Sequence, residues 1–276
     1  YWVSFPDFVT ITGAKPVFVN TDSSKQNEPV FNDLENKINS NTKGIIINSP
    51  SNPTGGVWSD EAILQLLDII KNRPDIWIFS DECYEQLTYN IPFKSIATFN
   101  PSLKNIITFQ SCSKTYAMTG WRIGYLAGDI ELVKAVSKLQ GQSTSCPNSI
   151  AQYAAVEALS GNQSCVLKMK SIFHKRRDLI LQELKGISNI ECEKPNGAFY
   201  VFPDFKYYLH NKLINDKGIK TSSDLSLYIL DQTGVVTVAG DSFGAPNNIR
   251  LSYATSDVII TDACRYIQTA LLKLKN

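Results

Sequence analysis

Short apolar runs separated by polar, turn-rich stretches set the rhythm of the first half of the chain. Gly44-Ile45-Ile46-Ile47-Asn48, Ile76-Trp77-Ile78-Phe79 and Ile106-Ile107-Thr108-Phe109 are continuous runs of this kind. Their length and lack of alternation predict strands buried on both faces of a parallel sheet. Pro16-Val17-Phe18-Val19 reads as a further strand, and Arg122 to Ala127 as one running against the others. Between these runs the apolar positions change period. Phe31, Leu34 and Ile38 recur at helical spacing. Ser59 followed by Asp60 and Glu61 predicts a capped helix to about Lys71. A short helix from Asp7 to Thr12, ended by Gly13, opens the chain. Alternating strands and helices argue for an α/β fold with a mostly parallel sheet.

The second half has another texture. Helical patterns run from Ile130 to about Gln142, Ile150 to Leu159 and Cys165 to Leu184. Beyond Gly186 come short strands, Ile190–Cys192, Ala198–Phe202, Val235–Ala239 and Ile249–Ser252, with helices at Ser222–Asp231 and Val258–Leu274. These predict a large domain over 1–164, then a connecting helix and a smaller α+β domain over 165–276. Lys206 to Thr221 is polar and irregular and reads as a surface loop. The basic run Lys175-Arg176-Arg177 reads as a solvated helix face.

The chemistry concentrates at the ends of the apolar runs. Asn52 lies in Ser49-Pro50-Ser51-Asn52-Pro53-Thr54-Gly55-Gly56, a dense turn signal. Asp81 and Tyr84 follow the second run, and Ser111-Cys112-Ser113-Lys114 follows the third. Ligands of open α/β sheets bind outside the carboxyl ends of the strands, so these segments converge on one expected pocket. A lone S-x-S-K is most often a polar surface loop. In this setting the Lys114 amine can hold an aldehyde as a Schiff base while Ser111 and Arg122 hold a phosphate. Pyridoxal 5'-phosphate (PLP) is such a phosphorylated aldehyde. It needs a carboxylate at its ring nitrogen, for which Asp81 is placed, and donors to its ring oxygen, for which Tyr84 and Asn52 serve. Trp2 is a candidate for its ring face. Arg250, inside the apolar strand pattern Asn248-Ile249-Arg250-Leu251-Ser252, either pairs with a buried carboxylate or receives one from a substrate.

Composition narrows the classes. The chain has 276 residues, 27 basic and 26 acidic, with a formal charge of +1. That balance offers no electrostatic attraction to nucleic acid or an anionic membrane. His174 and His210 stand far apart, and the six cysteines form no C-x-x-C, so no metal site is expected. Reduced thiols and a cytoplasmic location are expected, with no membrane span. The chain starts Tyr1-Trp2-Val3 without a methionine, and a longer parent protein is expected.

Together the motifs resemble the class I aminotransferases, PLP enzymes of fold type I, and within them the bacterial aspartate aminotransferase branch. The matching stretches are Tyr1-Trp2-Val3-Ser4, Ser49 to Gly55, Ser80-Asp81-Glu82-Cys83-Tyr84-Glu85 and Ser113 to Tyr125. Arg176-Arg177-Asp178, Pro195 to Tyr200 and Ile249 to Ala254 continue the match in the family's order. The resemblance implies a mostly parallel, seven-stranded-type sheet, part of it present, plus a small C-terminal α+β domain. It implies Lys114 as catalytic lysine, and Trp2, Asn52, Asp81, Tyr84, Ser111 and Arg122 as cofactor contacts. Arg250, with Asn52 and Trp2 near it, would hold the substrate α-carboxylate, and Asn52-Pro53 would be cis. Ping-pong transfer between L-aspartate and 2-oxoglutarate by a homodimer follows, with prephenate, aromatic or alanine specificity as alternatives. The family's N-terminal arm and glycine-rich phosphate segment have no counterpart before Tyr1, so N-terminal truncation is expected. A cofactor-free binding module of the same fold is the non-enzymatic rival. An S-x-x-K acyl enzyme is a third reading, weakened because no K-T-G follows.

Overall fold

The computed structural model describes residues 1–276 except Leu103, Lys217 and Asn276, and except the side chains of Asn215 and Lys275. Helix α1 (Phe5–Ile11) has Pro6 in its first turn, where a missing N–H costs nothing, and stops before Gly13. A small antiparallel ribbon, β1 (Thr21–Asp22) with β2 (Glu28–Pro29), precedes α2 (Phe31–Lys37). Then follow β3 (Gly44–Asn48), α3 (Asp60–Ile70), β4 (Trp77–Asp81), β5 (Ile106–Ser111), the single turn α4 (Cys112–Thr115) and β6 (Gly124–Ala127). Three helices come next: α5 (Ile130–Ser143), α6 (Ser149–Ser160) and α7 (Ser164–Lys185). The rest comprises β7 (Tyr200–Val201), α8 (Lys206–Leu209), α9 (Lys212–Asn215), α10 (Ser222–Thr233), β8 (Val238–Ala239), β9 (Ile249–Ser252) and α11 (Asp257–Lys275).

These elements form two compact units, and neither is one continuous segment. One contains Val17–Pro50 and Val57–Lys170; the other contains Tyr1–Pro16, Ser51–Gly56 and Ser171–Asn276. The chain changes unit after Pro16, Pro50 and Gly56 and again inside α7.

The first unit carries a sheet in the order β3-β4-β5-β6. β3, β4 and β5 are parallel, and β6 is antiparallel to β5, as its sequence position predicts. Ser59 caps α3 by accepting from the Ala62 N–H. That orients an apolar face of Ile63, Leu66, Leu67 and Ile70 onto Ile76, Ile78 and Ile106. β5 is buried on both faces, with Ile106, Ile107 and Thr108 all covered, but β3 and β4 are not. Alternation sends Ile47 and Ile78 to the α3 side but Ile46 and Phe79 to the other, where Ile46 is 37% exposed. There Phe79 and Phe109 stack, ring centres 6.4 Å apart. Pro16 to Val19 is not a strand, because Val17 and Phe18 lie exposed and pair with no neighbouring ladder among the described residues.

The second unit builds a three-stranded antiparallel sheet, β7-β9-β8. Val201, Leu225, Ile229, Ile249, Ile267 and Leu271 are buried in its core. Two sequence expectations fail because side chains within polar stretches are buried, apolar ones by packing and a charged one by pairing. Lys206 to Thr221 is not a surface loop but holds α8 and α9, with Tyr208, Leu209, Ile214 and Ile219 buried; Lys217 lies outside the described residues. In the basic run, Arg177 is 0% exposed rather than solvated. Its guanidinium bonds Asp178 at 2.8 and 3.0 Å and donates to the Pro195 C=O at 3.2 Å. Ile190–Cys192 supplies a single bridge, Glu191 to Asp204, and the Ala198–Phe202 strand shrinks to β7, with Ala198 left-handed at φ 56°.

Leu66 is completely buried between α3 and the sheet. Leu66→Ala is expected to cost about 2–5 kcal/mol of stability, read from urea unfolding.

Candidate functional site

Strand register decides which polar residues meet at the carboxyl edge of the first unit. Asn48 on β3 is paired with Asp81 on β4, and Asp81 with Phe109 on β5. The edge is tied by hydrogen bonds to the Asp81 C=O, from Asn48 Nδ2 at 3.1 Å and the Ser49 N–H at 3.2 Å. The Asp81 carboxylate accepts from the Cys83 N–H at 3.1 Å as the chain turns. Burial pushes the Asp81 carboxyl up, opposed by hydrogen bonds from Cys83 and by the charge of Lys114. Burial and the adjacent Asp81 also push the Cys83 thiol up. Tyr84, in the same turn, is buried.

β5 ends where Ser111 caps α4, its Oγ accepting from the Ser113 N–H at 3.0 Å and donating to the Ile123 C=O at 3.2 Å. This places the partly buried Lys114 in the first turn beyond the strand, within electrostatic reach of Asp81. Thr119 closes the loop by donating to the Ser113 C=O at 3.1 Å. Ala117 and Arg122 both take left-handed backbone, φ 53° and 55°, which non-glycine residues adopt at a cost of order 1–3 kcal/mol. Arg122 is exposed and donates to the Thr119 C=O at 3.0 Å. Gly124 permits the close return of β6: a Cβ there would meet the Gln110 C=O at 2.8 Å. An open hollow of about 620 Å³ takes in Arg122, Trp121, Asn148 and Ile150, but neither Asp81 nor Lys114.

The second unit holds the other predicted residues. Asn52 is buried in the Ser51–Gly56 segment, and the Asn52-Pro53 bond is cis as expected; Ser49-Pro50 is cis as well. Asn52 Oδ1 accepts from Arg250 Nη1 at 2.7 Å. The Arg250 guanidinium lies 4.5 Å from the Tyr200 ring centre and 5.1 Å from that of Phe243. Its Nε is buried with no acceptor among the described residues. Gly55 fits the Pro195 turn closely: a Cβ would come within 2.5 Å of the Pro195 Cβ. Trp2 packs edge-on against Phe5 and Phe8 of α1. Asp81, Tyr84, Ser111, Lys114 and Arg122 thus belong to one unit, and Trp2, Asn52 and Arg250 to the other.

The sequence pattern described as aminotransferase class I and II matches residues 1–267. The chain belongs to that family. A probable aspartate/prephenate aminotransferase of Rhizobium leguminosarum bv. phaseoli is 42% identical over 270 residues, covering 97% of this chain and 68% of the relative. The crystal structure of the aspartate aminotransferase from Rhizobium meliloti superposes with a TM-score of 0.92 at 39% identity, over 98% of this chain and 68% of that one. An aromatic aminotransferase from Pyrococcus horikoshii OT3 gives 0.90 at 32% identity, over 99% and 72%. The α/β architecture of this aminotransferase is therefore that of its family.

Sequence reasoning assigned no role to Tyr200, Phe243 or Glu82. Tyr200 stands in the quoted Pro195–Tyr200 motif, so a signal existed. Glu82 also stands in a quoted motif, Ser80 to Glu85, but its partners, like those of Phe243, are brought to it only by folding.

The raised Asp81 carboxyl has a consequence for stability. The folded chain binds this proton more tightly than the unfolded chain, so its contribution is full at low pH and is lost as pH rises through the folded value. Without cofactor, Asp81→Asn is expected to be more stable than the parent at pH 8, with the difference shrinking toward pH 4, by urea unfolding.

Proposed function

We propose that this aminotransferase uses PLP to move the amino group between L-aspartate and 2-oxoglutarate. The observation that carries the reading is an amine and a partly buried carboxylate, Lys114 and Asp81, at the carboxyl ends of adjacent parallel strands. The donor set fits the cofactor. Asp81 is a carboxylate that burial discourages from ionising, and a protonated ring nitrogen offsets that cost. Arg250 fits a substrate carboxylate, because its hydrogen bond goes to a neutral amide and its buried Nε has no acceptor among the described residues.

When bound, PLP supplies an aldehyde for the amine and an electron-withdrawing ring. In this reading Lys114 would hold the cofactor and move the proton at the substrate Cα. Asp81 would keep the ring nitrogen protonated, Tyr84 and Asn52 would serve as donors to the ring oxygen, and Trp2 would supply an aromatic contact to the ring. Ser111 and Arg122 bind the phosphate; Ser111 would then give up its bond to the Ile123 C=O. Arg250 grips the α-carboxylate, with Asn52 orienting it.

Prephenate is a second amino acceptor in this reading, supported by the names of the relatives from Rhizobium leguminosarum and Cereibacter sphaeroides, 42% and 40% identical. A homodimer is supported by exposed apolar side chains on α6, Ile150, Tyr153 and Val156, and is tested by sedimentation. A cytoplasmic setting is supported by six cysteines outside any disulfide.

The deciding experiment adds PLP, reduces with borohydride and maps the modified peptide. A pyridoxyl group on Lys114, lost in Lys114→Ala, is the expected result; modification elsewhere, or none in the parent chain, sinks the reading. In steady-state kinetics Arg250→Lys is expected to raise KM for both substrates about 10–100-fold, with kcat changed much less.

A further inference from the structure

β4 and β5 share a last backbone hydrogen bond, from the Glu82 N–H to the Phe109 C=O at 2.9 Å. Past it the strands part. β4 enters the turn closed by the Glu85 N–H to the Glu82 C=O at 2.9 Å, while β5 continues to Ser111 beside Gly124 of β6. A side-chain bond spans the opening, from Gln110 Nε2 to Glu82 Oε2 at 3.1 Å. Glu82 follows Asp81 in the chain, and Gln110 precedes Ser111. The bond therefore links the carboxylate turn to the lysine loop beyond the point where the backbone ladder ends.

The rest of Glu82 is held as firmly. Its Oε1 accepts from Ser80 Oγ at 3.0 Å, Ser95 Oγ at 3.0 Å and the Ile96 N–H at 3.3 Å. The residue is 1% exposed. Neutral donors surround a carboxylate that would otherwise be too costly to bury. Simple core filling would not require a carboxylate here. A group with acceptors on two sides can tie three segments at once: β4 through Ser80, the 95–98 turn through Ser95 and Ile96, and β5 through Gln110.

We propose that Glu82 is a positioning residue for transamination, whose carboxylate, through Gln110, fixes the lysine loop relative to Asp81. The link to transamination rests on the function proposed above; the placement of Lys114 does not. Gln110→Met removes the bond toward the lysine loop, whereas Ser95→Ala removes one on the opposite side of the same carboxylate.

Competitive acetylation of lysines by acetic anhydride, read by mass spectrometry without cofactor, reports the Lys114 amine directly. Loosening the lysine loop from the Asp81 turn exposes the Lys114 amine more often to the reagent. In Gln110→Met the Lys114 rate is expected to rise about fivefold, with other lysines unchanged, and in Ser95→Ala to stay at the parent value. Spectral titration is expected to show PLP affinity about fivefold weaker in Gln110→Met only. Gln110→Asn, which keeps the amide but is too short to reach, serves if the Met variant does not fold. An unchanged or slower Lys114 rate, or an equal change in both variants, overturns the proposal. If the parent chain takes up no PLP, the function fails while acetylation still decides whether Glu82 places Lys114.

Discussion

Parallel register is the constraint on which the first unit depends. Once Asn48, Asp81 and Phe109 lie abreast on three neighbouring strands, the polar segments that follow each strand must emerge at the same edge. The sheet that fixes this register is stabilised chiefly by burial of Leu66, Ile70, Ile76 and Ile78 on one face. Chemistry and stability are thereby divided along the strands. The apolar middle holds the sheet together, and the residues past its carboxyl ends are left to bind and react.

At that edge polar groups are buried, and the structure resolves each case with a different device. Asp81 is tied to the turn by the Cys83 N–H and feels the charge of Lys114, yet burial still dominates its ionisation. Glu82, its neighbour, is surrounded by donors from three segments. In the second unit Arg177 is fully buried but answered by Asp178 and the Pro195 C=O, whereas Arg250 is left with one neutral amide partner and aromatic rings. The two arginines differ in what answers their charge: Arg177 has an acid, whereas Arg250 has a neutral amide.

Much of the fold was legible because the longer strands and helices of the first unit follow their own local patterns. β3, α3, β5 and the antiparallel β6 fall at or close to the positions that periodicity and capping residues predict. The motif residues were legible too, since Asn52, Asp81 and Lys114 follow apolar runs with clear turn signals. Legibility failed where a residue's fate depends on partners distant in sequence. Val17 and Phe18 have strand-forming side chains but lie exposed and outside any ladder among the described residues, and Tyr208 and Ile214 lie in a polar stretch that the second core nevertheless draws in. Glu82 is joined to Gln110 by a bond spanning 28 residues.

By itself, then, the sequence determined the alternation of elements, the family and the kinds of group offered at the strand ends. Those follow from local spacing, propensity and residue chemistry, which need no knowledge of neighbours. Only the tertiary structure decided which face of each strand is covered, which arginine is satisfied, and that Asn52 rather than an acid meets Arg250 across 198 positions of sequence. Such choices are set by burial and by the geometry of hydrogen bonds between distant segments, and neither quantity exists until the chain has folded.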